Sequence, residues 1–157
     1  FIHAYTALGA SYIKQGEMEE AIAVLNRAEG VCPKDSNVYF YLGIASRIKA
    51  QYKEAVKYLK KAAVLKPDSV QVQFYLGLSL MDAELYDDAC LAFREVIRIK
   101  PNFADGHMML GNLYRENIPE PEKAVYHLKK AEKLFVKMED FQRVGYIRQL
   151  LLRFGSS

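Results

Sequence analysis

A constant step of 34 residues separates four glycines of this chain, which are Gly9, Gly43, Gly77 and Gly111. A leucine precedes each glycine, and three prolines keep the same step: Pro33, Pro67 and Pro101. A fixed period of this length predicts one small structural repeat used four times, each burying its apolar face against its neighbours. Stacked repeats form extended binding surfaces and not enclosed catalytic pockets. The period therefore favours a binding function over a catalytic one.

Each period contains two helical patterns separated by a short break. Apolar or small residues recur at steps of three and four, as in Tyr5, Leu8, Gly9 and Tyr12. The pattern breaks near Gly16, resumes, and ends at Pro33, which cannot continue a helix. The small Gly9 lets two helix backbones approach closely, and we expect Leu8 and Leu25 to fill the space beside it. Each repeat is therefore predicted to be a helical hairpin.

Several positions recur together from repeat to repeat. Repeat 1 shows Tyr5, Leu8, Gly9, Tyr12, Ala21, Leu25, Ala28 and Pro33, and repeat 2 shows Tyr39, Leu42, Gly43, Ala55, Leu59, Ala62 and Pro67. Repeat 3 shows Leu76, Gly77, Ala89, Phe93 and Pro101, and repeat 4 shows Leu110, Gly111, Tyr114, Ala124, Leu128 and Ala131. This pattern resembles the signature of the tetratricopeptide repeat (TPR) superfamily. The resemblance implies an all-α, right-handed TPR solenoid of four helix-turn-helix hairpins plus a C-terminal capping helix.

The predicted hairpins are residues 2–35, 36–69, 70–103 and 104–138, the last with a one-residue insertion in its turn. Residues 139–154 are predicted to be a helix that caps the fourth hairpin, because apolar side chains form one stripe along it. That stripe is Phe141, Val144, Ile147, Leu151 and Phe154. Ala50 and Glu84 replace Gly16 in two turns, and we expect those turns to differ in shape because side chains oppose left-handed backbone.

The resemblance also places a set of side chains in a groove, because the first helix of each TPR hairpin lines the concave side of the superhelix. The predicted partner-binding residues are Thr6, Ala10, Phe40, Ile44, Arg47, Phe74, Leu78, Met81, Met108, Asn112 and Arg115. The centre of this set is apolar, which favours a protein or peptide ligand with apolar anchors, such as an amphipathic helix. Two alternatives stay open: these side chains pack between neighbouring helices, or a segment of the same protein fills the groove.

TPR domains that hold the acidic C-terminal tails of Hsp70/Hsp90 use a lysine, asparagine and arginine set, the carboxylate clamp. The matching positions here are Thr6, Ala10, Tyr41, Gln71 and Tyr75. None of them matches the clamp, and an unpaired carboxylate buried against phenylalanine rings would be costly. A Hsp70/Hsp90 tail is therefore not the expected partner.

Residue types that carry catalysis or bind metals are scattered. His3, His107 and His127 lie in different helices, and Cys32 and Cys90 form no CxxC pair. The recurring Leu-Gly pairs lie within helices and cannot cradle phosphate as a loop does. We expect no catalytic residue, no metal and no cofactor, and thus not an enzyme; the alternative is a TPR section of a larger enzyme.

The formal net charge is +3, and lysines follow one helix of repeat 2 at Lys53, Lys57, Lys60 and Lys61. We interpret the lysines as a solvated outer surface and expect no nucleic acid, with an RNA or anionic membrane partner as the alternative. No apolar run approaches the roughly 18 residues of a membrane span. The chain begins at Phe1, inside repeat 1, and we expect a segment of a longer, cytoplasmic protein. The uncovered first hairpin suggests self-association as a homo-oligomer.

Overall fold

The three-dimensional structure is a computed structural model that describes residues 1–154 of the 157-residue chain. Within that range the regular secondary structure is nine α-helices with no β-strand, so the predicted all-α class is confirmed. The chain divides into two compact units, Phe1–Leu85 and Tyr86–Ser157. The first unit contains α1 (Ile2–Gln15), α2 (Met18–Val31), α3 (Ser36–Ile48), α4 (Tyr52–Leu65) and α5 (Val70–Asp82). The second unit contains α6 (Tyr86–Ile99), α7 (Ala104–Glu116), α8 (Pro121–Lys137) and α9 (Phe141–Phe154).

Four of the turns that end helices share one geometry with a left-handed residue. These residues are Gly16 (φ 82°), Ala50 (φ 58°), Glu84 (φ 61°) and Glu139 (φ 58°). The amide of each donates to the carbonyl three residues earlier, and the next amide donates to the carbonyl five residues earlier. The different turn shape expected at Ala50 and Glu84 is therefore wrong. Two hydrogen bonds to the helix end hold the left-handed backbone although a side chain there costs about 1 kcal/mol.

The recurring glycines lie where a hairpin's two helices come closest. A Cβ atom on Gly43 would stand 2.5 Å from Cγ of Leu59, and one on Gly9 would stand 2.7 Å from the Leu25 side chain. Gly111 has the same relationship to Leu128 in the second unit, at 2.7 Å. Three of the four glycines in the 34-residue step thus share one close contact with a leucine of the second helix of their hairpin.

Each unit has its own hydrophobic core. The core cluster of the first unit contains Leu25, Ala28, Val38, Tyr39, Leu42, Ala62 and Val72, and that of the second contains Ala104, Leu128, Ala131, Phe135, Val144, Ile147 and Leu150. The second cluster includes three residues of α9, so this helix covers the last hairpin as predicted. Phe141 is a correction to the predicted stripe, because it is 67% exposed at the first turn of α9.

The outer side of α1 is open, in contrast to the same side of α3. Leu8 is 44% exposed, whereas Leu42 at the equivalent position of repeat 2 is fully buried. Ala4 is also exposed, and its equivalent Val38 is buried. Leu8 therefore does not fill interior space as expected, because α3 packs on the preceding hairpin whereas no described helix precedes α1.

Candidate functional site

Six predicted partner-binding side chains share two helices of the first unit, and we call this set the α3–α5 face. Its members are Phe40, Ile44 and Arg47 on α3 and Phe74, Leu78 and Met81 on α5. The two helices are in contact, and all six residues are half-buried. Steps of three and four residues place each set of three on one side of its helix. Five of the six side chains are apolar and retain surface that another molecule can cover.

Aromatic contacts brace this face. The ring of Phe40 meets the ring of Tyr75 edge-on, with centroids 5.4 Å apart and an interplanar angle of 87°. Tyr41 makes a similar contact with Phe40 at 5.3 Å, and Tyr75 also meets Phe74 at 6.1 Å. Edge-on aromatic pairs contribute about 0.5–1.5 kcal/mol beyond area burial. Tyr75 thus fixes rings on both helices, a role that the sequence pattern did not assign to it.

An ion pair closes one end of the α3–α5 face. Nε of Arg47 donates to Oδ2 of Asp82 at 2.6 Å, and the two side chains are 30% and 31% exposed. The resemblance to TPR hairpins also places Asp82 on the groove side, although it is not among the predicted partner-binding residues. Its position one residue beyond a full period from Arg47, with opposite charge, indicates the pairing. Because its partner Asp82 belongs to the same chain, the charge of the Arg47 guanidinium is already balanced before any ligand binds.

Thr6 and Ala10 of α1 differ from the other predicted residues. Thr6 is only 6% exposed, and its hydroxyl donates within its own helix toward the carbonyls of Ile2 (3.2 Å) and His3 (3.1 Å). Ala10 is half-buried and carries only a methyl group. Thr6 therefore offers little surface to a partner, and Ala10 offers only its methyl group.

The remaining predicted residues, Met108, Asn112 and Arg115, form the α7 face of the second unit. All three are half-buried, and Met108 packs against the core cluster of this unit. Within the described residues, Oδ1 of Asn112 and Nε of Arg115 are buried without a hydrogen-bond partner. The other end of the Arg115 guanidinium pairs with Glu116. This face is more polar than the α3–α5 face.

Many of the basic side chains are paired with carboxylates. In the first unit Lys61 lies 3.5 Å from Glu29, and Lys57 lies 3.7 Å from Glu54. In the second unit the pairs include Lys123–Glu120, Arg143–Asp105 and Arg148–Glu132. Paired, exposed charges are screened and produce a weaker field than a bare basic stripe. Lys57 and Lys61 on α4 thus have carboxylate partners, which weakens the positive field of that helix.

Within residues 1–154 no three His, Cys, Asp or Glu side chains are grouped so that they could hold a metal ion. None of the helices described there is both long and apolar enough to cross a membrane.

Repeated hairpins that display open, partly apolar faces define a class of protein, the helical-repeat scaffolds that bind other proteins non-covalently. The chain belongs to the tetratricopeptide repeat superfamily. A TPR repeat family model matches residues 4–46, and a second tetratricopeptide repeat model matches residues 49–102. Together the two matches span more than half of the chain.

Solved structures of MamA have a similar fold. A crystal structure of MamA matches with a TM-score of 0.83 and 25% identity, over 88% of this chain and 81% of that chain. The MamA MSR-1 structure matches with a TM-score of 0.76 and 27% identity, over 88% and 79%. The MamA AMB-1 structure matches with a TM-score of 0.75 and 28% identity, over 85% and 73%. No curated protein sequence matches the chain.

Proposed function

We propose that the α3–α5 face binds a peptide or an amphipathic helix of another protein through apolar anchors, without catalysis. The observation that carries this proposal is the braced aromatic arrangement of Phe40 and Phe74 with Tyr75 between them. Rings that are fixed in advance lose little side-chain entropy when a partner covers them, so more of the burial energy becomes affinity.

The charge pattern selects the kind of partner. Arg47 is already paired with Asp82, so the face offers no unpaired cation of its own to an acidic segment. An acidic tail such as that of Hsp70/Hsp90 would lose hydration here without gaining a counter-ion. Each buried apolar anchor contributes roughly 1.5–3 kcal/mol before association costs, so two or three anchors give an affinity of about micromolar order at most.

The location of binding can be tested with peptides of about 16 residues selected against the protein from a random display library. Methyl NMR then maps the bound peptide. We expect the largest shift changes at Ile44, Leu78 and Met81. Shift changes confined to the exposed valines on other surfaces, Val31 and Val64, would contradict the proposal.

A second candidate function is self-association through the outer side of α1. The observation that favours it is the exposure of Leu8, where the equivalent Leu42 is buried by the preceding hairpin. A surface shaped to receive a hairpin can take an element from a second copy of the chain.

Light scattering at several protein concentrations tests this candidate. We expect the mass to rise with concentration for the unaltered protein and to stay monomeric for Leu8→Glu, because a buried carboxylate opposes the interface. Leu91→Glu is the matched control, since Leu91 is also exposed but lies on α6. A constant monomer mass for the unaltered protein would exclude self-association.

A further inference from the structure

One hydrogen bond recurs near the start of three first helices. The donor side chains Tyr39, Gln73 and His107 bond the carbonyls of Pro33, Pro67 and Pro101 at 2.9, 3.3 and 2.9 Å. Each donor lies six residues after its acceptor, so the bond fastens a helix to the end of the helix before it. In His107 the nitrogen that makes this bond is Nε2, which must carry the proton. The neutral ring therefore keeps Nδ1 as an acceptor.

That acceptor faces a second histidine. Nδ1 of His107 lies 3.0 Å from Nδ1 of His127 on α8, so His127 donates the proton of this bond. His107 is 4% exposed, and the rings of Tyr114 and Tyr126 flank His127 with centroids 5.7 and 5.0 Å away. The hydroxyl of Tyr114 in turn contacts Sγ of Cys90 on α6 at 3.1 Å. Burial opposes the first added proton, and a second would set two N–H groups against each other across this contact.

Repeat 2 holds tyrosines at the equivalent positions. Tyr39 and Tyr58 stack with centroids 6.5 Å apart, and the ammonium of Lys61 lies 4.9 Å from the first ring and 5.9 Å from the second. His127 and Lys130 follow Tyr58 and Lys61 by two periods plus the inserted residue. An ammonium is attracted to a tyrosine ring but repels a protonated imidazole. The same lysine position therefore stabilises the tyrosine pair and opposes charge on the histidine pair.

The charged groups that act on the two imidazoles are cations from two helices. Burial lowers the pKa of His107, and Lys130 on α8 lowers it further against the opposing effect of the Pro101 bond. Burial, the adjacent His107, and the cations Arg94 on α6 and Lys123 on α8 lower the pKa of His127 to about 4. In repeat 2, burial and then Glu29 raise the pKa of Tyr39, and tyrosine is neutral in acid even at its ordinary pKa of about 10.

We propose that the His107–His127 pair makes the α7–α8 hairpin an acid-sensitive section of the scaffold, which opens on proton uptake while the tyrosine-paired hairpin of repeat 2 stays folded. The α7 face includes Met108, the residue directly after His107. Acid would therefore unfold the helix that carries the α7 face, whereas the α3–α5 face would keep its structure. This inference does not depend on what either face binds.

The direction of the effect follows from proton linkage. An unfolded histidine titrates near pH 6.5, whereas the folded pair takes up protons only at lower pH. Below about pH 6.5 the unfolded chain binds more protons than the folded one, so the hairpin loses stability as the pH falls toward about 4. Above about pH 7.5 both states are neutral at these rings, and the pair contributes no pH dependence.

Hydrogen exchange followed by mass spectrometry, corrected for the intrinsic exchange rate, tests this at about pH 7 and about pH 5. We expect local opening of α7 and α8 to increase about tenfold at the lower pH, and that of α3 and α4 to change less than about twofold. The full lowering of the His127 pKa would by itself increase local opening about 20-fold between these two pH values. Because His127 is partly exposed, solvent screening makes the expected increase smaller. The matched variant is His107→Tyr with His127→Tyr, which installs the repeat 2 pair and should remove the acid response.

A second measurement needs no variant, so a double variant that fails to fold leaves the test intact. NMR titration of the imidazole carbons in the unaltered protein should give His127 a pKa well below 6.5. A pKa at or above 6.5 would overturn the proposal. It would also be overturned by equal opening of α7 and α8 at both pH values, or by a folded double variant that remains as acid-sensitive as the unaltered protein.

Discussion

Arg47 on α3 and Asp82 on α5 form an ion pair with an Nε–Oδ2 distance of 2.6 Å, although they are 35 residues apart in sequence. The pair connects the first helices of two successive repeats at one end of the α3–α5 face. It leaves the face with no unpaired cation of its own there, and this supports a partner with apolar anchors over an acidic one.

The stability that this pair contributes should be small. Both side chains are about one-third exposed, so solvent screens the attraction. A double-mutant cycle of Arg47→Met and Asp82→Asn, measured by urea unfolding, should give a coupling of about 0.5–1 kcal/mol that declines in about 1 M salt. A coupling above about 2 kcal/mol that salt leaves unchanged would mean that the pair is effectively buried.

Gly43→Ala should destabilise the first unit by about 1–3 kcal/mol. Its Cβ would stand 2.5 Å from Leu59, which is fully buried and has little room to move. Gly145→Ala is the opposite control, because no heavy atom lies within 4 Å of its Cβ position in α9. That change should stabilise the protein by about 0.5–1 kcal/mol through helix propensity. Urea unfolding that ranks the two variants the other way would refute the close-approach explanation.

Ala50→Gly and Glu84→Gly should each stabilise the protein by about 0.5–1 kcal/mol. Both residues have a left-handed backbone that glycine adopts without the cost of a Cβ atom. Ala23→Gly, at an exposed position within α2, should instead destabilise by a similar amount. Thermal unfolding midpoints would show the contrast in sign. If all three variants lose stability, these turns are not strained by their side chains.

The sequence predicted the fold well because the 34-residue period reflects close helix packing within the hairpins. Three details were not predictable from it. Leu8 has the same sequence context as Leu42, but it lies at the open side of the first unit. Phe141 belongs to an apolar stripe but begins its helix beyond the core. Ala50 adopts the same left-handed turn as Gly16 because two backbone hydrogen bonds to the end of α3 stabilise that turn. Amino-acid composition does not reveal these bonds.

The candidate site was predictable only in part. The resemblance to TPR hairpins implied that Phe40 and Phe74, which lie one period apart, face the same side of successive first helices. It did not reveal that Tyr75 braces both rings, since neighbouring positions on a helix point in different directions and contacts between helices depend on packing. The His107–His127 contact was also missed, because the two rings come from different helices 20 residues apart.

If Phe40 and Phe74 anchor a partner, removing their rings must weaken its binding. The deciding measurement is the dissociation constant of a display-selected peptide, obtained by calorimetry for the unaltered protein, for Phe40→Ala with Phe74→Ala, and for the control Val31→Ala with Val64→Ala. We predict that the phenylalanine variant binds at least about 30-fold more weakly with unchanged helical circular dichroism, while the control binds normally. Equal affinity of all three proteins, or unfolding of the phenylalanine variant, would contradict the claim.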